Sequence, residues 1–136
     1  MAECVENASV IICFLIQAYQ NSENCRKKLT YAKHNDLTSE SVKMLVDELE
    51  QNKTLTQLQL HTNHLDDKSV QYLAQLLTGK NTTLICLGLD EIDLTDKGAQ
   101  ILFNALRTNS SLKTLYLANN KLITDASIDS FIQMIQ

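Results

Sequence analysis

The leucines of this chain follow two alternating spacings. Three stretches, which begin at Leu55, Leu84 and Leu112, carry leucine at their first, fourth, sixth and eleventh positions. The alternation in the middle of each stretch indicates a short β-strand with one buried face. After each stretch, apolar residues recur at three- and four-residue spacing, which indicates an amphipathic helix. The chain is therefore predicted to repeat a strand and a helix, with starts 29 and 28 residues apart.

A weaker copy of the same pattern precedes the three strong ones. Counting back 28 residues from Leu55 reaches Lys27, and the copy that starts there keeps Asn35 and Leu37 but loses its strand leucines. One strand and one helix cannot bury their own apolar surfaces, so the copies are expected to stack on a shared core. We predict about four repeats of 28–29 residues, the first degenerate and the last incomplete, with boundaries at 25–52, 53–81, 82–109 and 110–136.

Residues 1–24 lie ahead of the repeats and are predicted to form an N-terminal capping helix. From about Val5 to Tyr19 this segment is apolar on more than one face, which exceeds what a simple cap needs. At the other end, the last helix has no further repeat in this sequence to pack against. Both features leave open a homodimer, formed through the apolar N-terminal helix or through the uncapped C-terminal end.

Short polar residues precede each predicted helix. Their side-chain oxygens can accept hydrogen bonds from the free amides of a first helical turn. The predicted capping residues are Thr38 or Ser39, Asp66, Thr95 and Thr124.

Asparagines in Asn-X-Ser/Thr sequences precede three predicted strands. Asn52, Asn81 and Asn109 each stand three residues before the first leucine of a copy. Because they recur with the repeat, we interpret them as turn residues rather than as glycosylation sites.

The pattern resembles the leucine-rich repeats of the ribonuclease-inhibitor type, whose sequence LxxLxLxxNxL is followed by a helix. The resemblance runs from about residue 24 to the end of the chain. It implies an α/β fold, a right-handed solenoid or horseshoe segment with parallel strands on the concave side and helices on the convex side. It also implies protein binding through the inner face, as in inhibitors, ligand regions of immune receptors and effectors delivered by intracellular bacteria.

One repeat departs from the pattern at its asparagine. Asn35, Asn63 and Asn120 are expected to turn inward and to bond backbone groups that the curved turn leaves unpaired. Ile92 occupies the corresponding place in the third repeat and would fill it with hydrocarbon. Hydrogen bonding is therefore expected to be looser there.

The residues between the buried leucines of each strand point to the open face of the sheet. The alignment places Tyr31 beside Gln59 and Lys33 beside His61, with room at Gly88 for a protruding side chain of a partner. His61 and Asp90 are expected to pair across neighbouring strands. The predicted partner-binding residues are Tyr31, Lys33, Gln57, Gln59, His61, Cys86, Asp90, Glu91, Thr114 and Tyr116.

Composition excludes several classes of function. The chain has 136 residues, 22 leucines, only three scattered glycines and a net charge of −4, which argues against a phosphate-binding loop and against a nucleic-acid partner. Cys4, Cys13, Cys25 and Cys86 lack metal or disulfide spacing, and no apolar run is long enough to span a membrane. No catalytic residue, cofactor or metal is predicted, and the thiols fit a reducing cytoplasm.

The sequence therefore predicts a non-enzymatic module that binds a protein or peptide through the concave face and adjoining loops. A regulatory or targeting region of a larger protein is the alternative: a bacterial effector acting in a host cytoplasm, an immune receptor, or a ligase-associated or GTPase-activating protein. A self-associating structural piece is a further alternative.

Overall fold

The protein is described by a computed structural model over residues 28–30, 37–79 and 83–135. The capping helix predicted for residues 1–24 lies outside these ranges. Strands and helices alternate along the chain: β1 (Lys28–Thr30), α1 (Ser39–Gln51), β2 (Gln57–Gln59), α2 (Asp67–Thr78), β3 (Cys86–Gly88), α3 (Asp96–Leu106), β4 (Thr114–Tyr116), a 3₁₀ turn (Asp125–Ser127) and α4 (Ile128–Ile135).

The strands form one parallel sheet in the order β1-β2-β3-β4, with each helix crossing from one strand to the next. The helices make a second layer, in which α1 packs against α2, α2 against α3 and α3 against α4. Leu58, Leu87 and Leu115 lie opposite one another in the sheet register. The α/β solenoid that the repeat pattern predicts is confirmed.

Leucines from the strands and helices fill the space between the two layers. Leu58 and Leu60 in the second repeat, and Leu87 and Leu89 in the third, are at most 1% exposed. The apolar residues predicted for the inner helix faces, such as Leu45, are buried with them. Burying one such side chain contributes about 1.5–3 kcal/mol, so the shared core is the main source of stability.

The register of β1 contradicts the predicted alignment of the first repeat. Thr30 lies opposite Gln59 and Leu29 lies opposite Leu58, whereas the alignment placed Tyr31 beside Gln59. A shift of one residue exchanges the two faces of a strand. The one leucine of β1 thus takes the register position of the buried strand leucines, which explains the difference.

All four predicted helix caps are present, with Thr38 rather than Ser39 in the first helix. In each case the side-chain oxygen accepts a hydrogen bond from a backbone amide in the first turn. The pairs are Thr38 with Ser41 at 3.2 Å, Asp66 with Ser69 at 2.8 Å, Thr95 with Gly98 at 3.1 Å and Thr124 with Ala126 at 3.3 Å.

Two of the Asn-X-Ser/Thr asparagines form the turn that leads into a strand. Oδ1 of Asn52 accepts hydrogen bonds from the amides of Thr54 at 2.9 Å and Leu55 at 2.7 Å, and the residue is 6% exposed. Asn109 repeats this arrangement and also donates to the carbonyl of Leu77, at 2.7 Å. The turn interpretation is confirmed at both positions, while Asn81 lies outside the described residues.

The inward asparagines bond the backbone as predicted. The carboxamide of Asn120 accepts from the amides of Ile92 and Leu94 and donates to the carbonyls of Leu89 and Leu117, over 2.8–3.1 Å. Asn63 donates to the carbonyls of Leu60 and His61, but its Oδ1 is buried without a partner. Asn35 lies outside the described residues.

Ile92 is fully buried in the asparagine position of the third repeat. The amide of Leu65 accordingly donates to the backbone carbonyl of Ile92, at 3.1 Å, instead of to a side-chain amide. Asp93, the next residue, has a φ of 58°, a left-handed conformation that its equivalent His64 does not share. The turn therefore keeps one bond by rotating its backbone, and it loses the side-chain bonds that Asn120 makes.

Candidate functional site

The open face of the sheet presents the predicted columns of β2, β3 and β4. Gln57, Cys86 and Thr114 share one row of the register, and Gln59, Gly88 and Tyr116 share the next. Tyr116 is 49% exposed and is the largest side chain of these two rows. Tyr31 and Lys33, predicted for the same face, lie outside the described residues.

The space above Gly88 is filled by Gln59, which corrects the prediction of a vacancy there. A Cβ at Gly88 would lie 1.7 Å from Oε1 of Gln59 and 2.7 Å from its Cδ. The amide nitrogen of the same Gln59 side chain is 3.5 Å from Sγ of Cys86. The glutamine can lie flat across β3 because its neighbour has no side chain, so the middle of the open face is a carboxamide surface rather than a pocket.

Ile85 adds an apolar group at the edge where β3 begins. Its side chain is 45% exposed, while its backbone bonds the neighbouring repeats through the carbonyl of Thr56 and the amides of Lys113 and Thr114. The sequence analysis omitted Ile85 because it directly follows Leu84 and precedes the alternating part of the strand. Ile85 and Tyr116 together give the open face its exposed apolar area.

The carboxyl ends of the strands carry a polar edge. The predicted pairing of His61 with Asp90 is not formed: Oδ1 of Asp90 instead accepts from the amide of Ala118, at 2.6 Å. The ion pair between these two repeats joins His64 to Asp93, further along the same loops. Asp90 bonds forward because the amide of Ala118 follows β4 and has no strand beyond it to accept its hydrogen.

A groove runs along this polar edge, over the loops that follow β2, β3 and β4. It has a volume of about 510 Å³ and continues into a neighbouring depression of about 380 Å³ beside His61 and Asp90. The walls of the larger part are Thr62, His64, Glu91, Asp93, Asn119 and Lys121.

Backbone geometry makes the loops of the groove superimposable. Thr62, Glu91 and Asn119 occupy the same place in successive repeats, and all have a φ between 54° and 60°. The amide of Thr62 donates to the carbonyl of Asp90 at 3.0 Å, and the side-chain amide of Asn119 donates to the carboxylate of Glu91 at 2.9 Å. The groove walls are therefore held by bonds between repeats, which gives a partner a preformed surface.

Three comparisons with known proteins place the fold in a family. A family model described as "Leucine Rich repeat" matches residues 51–74 and 108–131. The ribonuclease inhibitor of Sus scrofa is 36% identical over 96 residues, which cover 71% of this chain and 21% of the inhibitor. The chain belongs to the leucine-rich-repeat family of the ribonuclease-inhibitor type.

Other leucine-rich-repeat proteins show the same partial coverage. The "NACHT, LRR and PYD domains-containing protein 4E" of Mus musculus is 37% identical over 102 residues, which cover 75% of this chain and 10% of that protein. The chain thus spans about a fifth or less of the length of these relatives. A solved structure of "Leiomodin-1 Actin-Binding Site 2 (ABS2)" has a TM-score of 0.77 at 22% identity and covers 90% of this chain and 72% of that one, a likeness of fold alone.

The described repeats offer little for metal or catalytic chemistry. Residues 28–30, 37–79 and 83–135 hold no group of three His, Cys, Asp or Glu side chains that could bind a metal ion. Within the same ranges, no helix combines the length and apolar character that crossing a bilayer requires. Cys86 has the carboxamide of Gln59 beside it and is flanked in its register row by Gln57 and Thr114, none of which is a base.

The sequence analysis named part of this leucine-rich-repeat surface and missed the rest. Gln57, Gln59, Cys86, Thr114 and Tyr116 lie on the open face as predicted. His61, Asp90 and Glu91 lie along the groove. The missed wall residues follow the strands at equal repeat spacing, a signal available in the aligned copies: Thr62, His64, Asp93, Asn119 and Lys121.

Proposed function

We propose that this chain is a non-enzymatic protein-binding module that contacts a protein or peptide through the open sheet face and the adjoining groove. The observation that supports the proposal is the separation of roles along each strand. The alternating leucines are buried, while Tyr116 and Ile85 expose about half of their surface beside a polar groove. An exposed tyrosine next to polar loops provides both apolar contact and hydrogen bonds, as at many protein interfaces.

The dimensions of the surface favour an elongated partner. Four strands about 4.8 Å apart make a sheet roughly 15 Å across. A specific interface usually buries about 800 Å² on each partner, which is more than this sheet alone provides. A peptide or a single helix fits the sheet, and a larger protein would also use the groove between Thr62 and Lys121.

Affinity capture from a cytosolic lysate, with two matched variants, tests this surface. The open-face variant combines Tyr116→Ala with Ile85→Ser, and the control combines Gln71→Ala with Asn104→Ala on the helix side, where both side chains are exposed. We expect the proteins captured by the unmodified chain to be lost by the open-face variant and retained by the control. Loss of the same proteins by both variants, or by neither, would contradict binding through the open face.

A second candidate role is that of a regulatory or targeting region within a larger protein. The observation in its favour is that the chain matches only 21% of ribonuclease inhibitor and 10% of the NACHT relative. These relatives favour an immune-receptor or inhibitor setting and lend no support to the bacterial-effector alternative. An antibody to the described repeats should then detect an endogenous protein far larger than 15.3 kDa, and a single band at that mass would contradict this role. The cytoplasmic location and the homodimer remain predictions.

A further inference from the structure

The outer edge of β4 carries the same donors that join the other repeats to one another. The amide of Leu60 donates to the carbonyl of Gly88 at 2.8 Å, and the amide of Leu89 donates to the carbonyl of Tyr116 at 2.9 Å. The equivalent donor in the fourth repeat is the amide of Leu117. Among the described residues this amide forms no hydrogen bond, because β4 is the last strand of the sheet.

The loop after β4 continues this pattern. The amides of Thr62 and Glu91 donate to the carbonyls of Asp90 and Ala118, both at 3.0 Å. Asn119 holds the same position one repeat later, with the same left-handed backbone. No residue of the described ranges accepts a hydrogen bond from its amide.

A third contact of the series lies at the helix caps. The carboxylate of Asp67 accepts from the hydroxyl of Thr95 at 2.7 Å, and that of Asp96 accepts from the amide of Thr124 at 2.7 Å and from its hydroxyl. Asp125 follows at the same spacing of 29 residues. Its carboxylate has no hydrogen-bond partner in the described part of the chain.

Apolar side chains beside this edge are left half-covered. Leu87 is 1% exposed in the third repeat, whereas its equivalent Leu115 is only partly buried. In α4 no residue is buried, although one edge of Phe131 packs on Phe103 with ring centroids 5.5 Å apart. The exposed apolar side chains of this end are Leu122, Ile128, Phe131, Ile132 and Ile135, at 42–64%.

We propose that this end of the stack, which we call the β4 end, is a docking surface for a further leucine-rich repeat of the same polypeptide. The donors of Leu117 and Asn119 fit a parallel strand with carbonyls at the positions of Tyr116 and Ala118. The carboxylate of Asp125 fits a threonine or serine hydroxyl at the cap of the next helix. The partner is thus defined by three contacts: a parallel strand, a hydroxyl cap and an apolar helix face.

Two arguments favour a repeat of the same chain over a second copy. A two-fold dimer would set β4 against its own copy in antiparallel orientation, and the parallel series of donors would then lose its partners. A linked repeat also avoids the loss of translational and rotational freedom that a separate chain incurs on binding. The relatives of this chain extend well beyond the matched region, since 21% or less of their length is covered.

The test appends a copy of residues 81–109 directly after Gln136 of the full chain. This junction places the copy's first strand leucine 28 residues after Leu112, and the copy's Thr95 at the cap position that would face Asp125. Amide hydrogen exchange then reports on Leu117 and Asn119. We expect exchange at both amides to slow by about tenfold or more, and thermal unfolding to remain a single transition with a midpoint raised by several degrees.

Three variants make the result decisive. An extension with the copy's Leu87 and Leu89 replaced by lysine gives the baseline, with no slowing. Asp125→Asn in the extended chain should lower the midpoint, while Asp129→Asn, which changes an exposed carboxylate elsewhere on α4, should not. Unchanged exchange at Leu117 and Asn119 in the extended chain would overturn the proposal. Slow exchange at those amides in the unextended chain, rising with concentration alongside the sedimenting mass, would also overturn it by identifying a second copy as the occupant.

Discussion

The hydroxyl of Thr95 donates a hydrogen bond to the carboxylate of Asp67 across the boundary between two repeats, with 2.7 Å between Oγ1 and Oδ1. The same oxygen of Thr95 accepts the amide of Gly98 and so caps α3. Lys97 lies 3.8 Å from the second carboxylate oxygen of Asp67. One residue thus begins a helix and fixes it to the helix before it.

Replacing Thr95 should therefore cost more than loss of a helix cap. Thr95→Val removes both the cap and the bond to Asp67, and we expect the free energy of unfolding to fall by about 2 kcal/mol, where a cap alone is worth about 1. Urea denaturation of Thr95→Val, Asp67→Ala and the double variant measures the coupling between the two residues.

The coupling energy in this cycle should be about 0.5–1 kcal/mol. Asp47→Ala is the matched control, because its exposed carboxylate makes only a 4.0 Å ion pair with Lys43 and should change stability by less than about 0.5 kcal/mol. Strictly additive effects of the two substitutions would show that the bond contributes nothing to joining the repeats.

Asp96 makes the equivalent bond one repeat later, and its titration should report on it. Hydrogen bonds from the hydroxyl and the amide of Thr124 favour the charged carboxylate and lower the pKa of Asp96 below its ordinary value of 3.8. A lowered folded-state pKa contributes stability that is fully present above the ordinary pKa and is lost as pH falls through the folded-state value. Stability should therefore decrease from about pH 5 downward, partly through Asp96.

The measurement is a carboxyl-detected NMR titration of Asp96 in the unmodified chain and in Thr124→Val. The midpoint for Asp96 should lie below 3.8 and should rise toward that value in the variant, because the side-chain hydrogen bond is removed. Asp129, on the outer turn of α4, serves as a reference that Thr124→Val should leave unchanged. An Asp96 midpoint that does not move would contradict the role of the Thr124 hydroxyl.

The sequence predicted the fold well because the repeat states the same answer several times. Leucines at fixed spacing, capping residues ahead of each helix and an asparagine ahead of each strand all specify one strand–helix unit. The first repeat lacks this redundancy. With the strand leucines gone, an alignment based on Asn35 and Leu37 placed Leu29 one position away from its actual register opposite Leu58.

The candidate surface could be predicted only in outline. Alternation along a strand identifies which residues share the open face, but it does not determine the conformations of their side chains. Gln59 lies over Gly88, and Asp90 bonds Ala118 rather than His61, because each group finds its nearest partner in three dimensions. The groove depends on the left-handed backbone of Thr62 and its equivalents, which no local glycine signals.

The asparagine ahead of β2 offers a test that separates a turn residue from a glycosylation site. Asn52→Ala should lower the free energy of unfolding by about 1–3 kcal/mol, since it leaves the amides of Thr54 and Leu55 without their acceptor. Thr54→Ala destroys the same Asn-X-Thr sequence but keeps Asn52, and it should cost less than about 1 kcal/mol because it loses only a 3.3 Å side-chain contact. Urea denaturation of the two variants gives the comparison. Equal destabilisation by both would contradict the turn interpretation.

Asn120 and Ile92 hold equivalent positions with opposite chemistry, so their substitutions should fail for different reasons. Asn120→Ala removes four hydrogen bonds and leaves the buried amides of Ile92 and Leu94 unpaired, and we expect a loss of about 3 kcal/mol. Ile92→Val, which only shortens a buried side chain, should cost about 0.5–1.5 kcal/mol. Hydrogen exchange provides the second measurement: Asn120→Ala should speed exchange at Ile92 and Leu94, whereas Ile92→Val should leave Leu65 protected through the backbone carbonyl of residue 92. Asn119→Gly keeps the left-handed backbone next to Asn120 and controls for disturbance of the loop. If Asn120→Ala proved no more damaging than Ile92→Val, the asparagine would be filling space rather than joining the repeats.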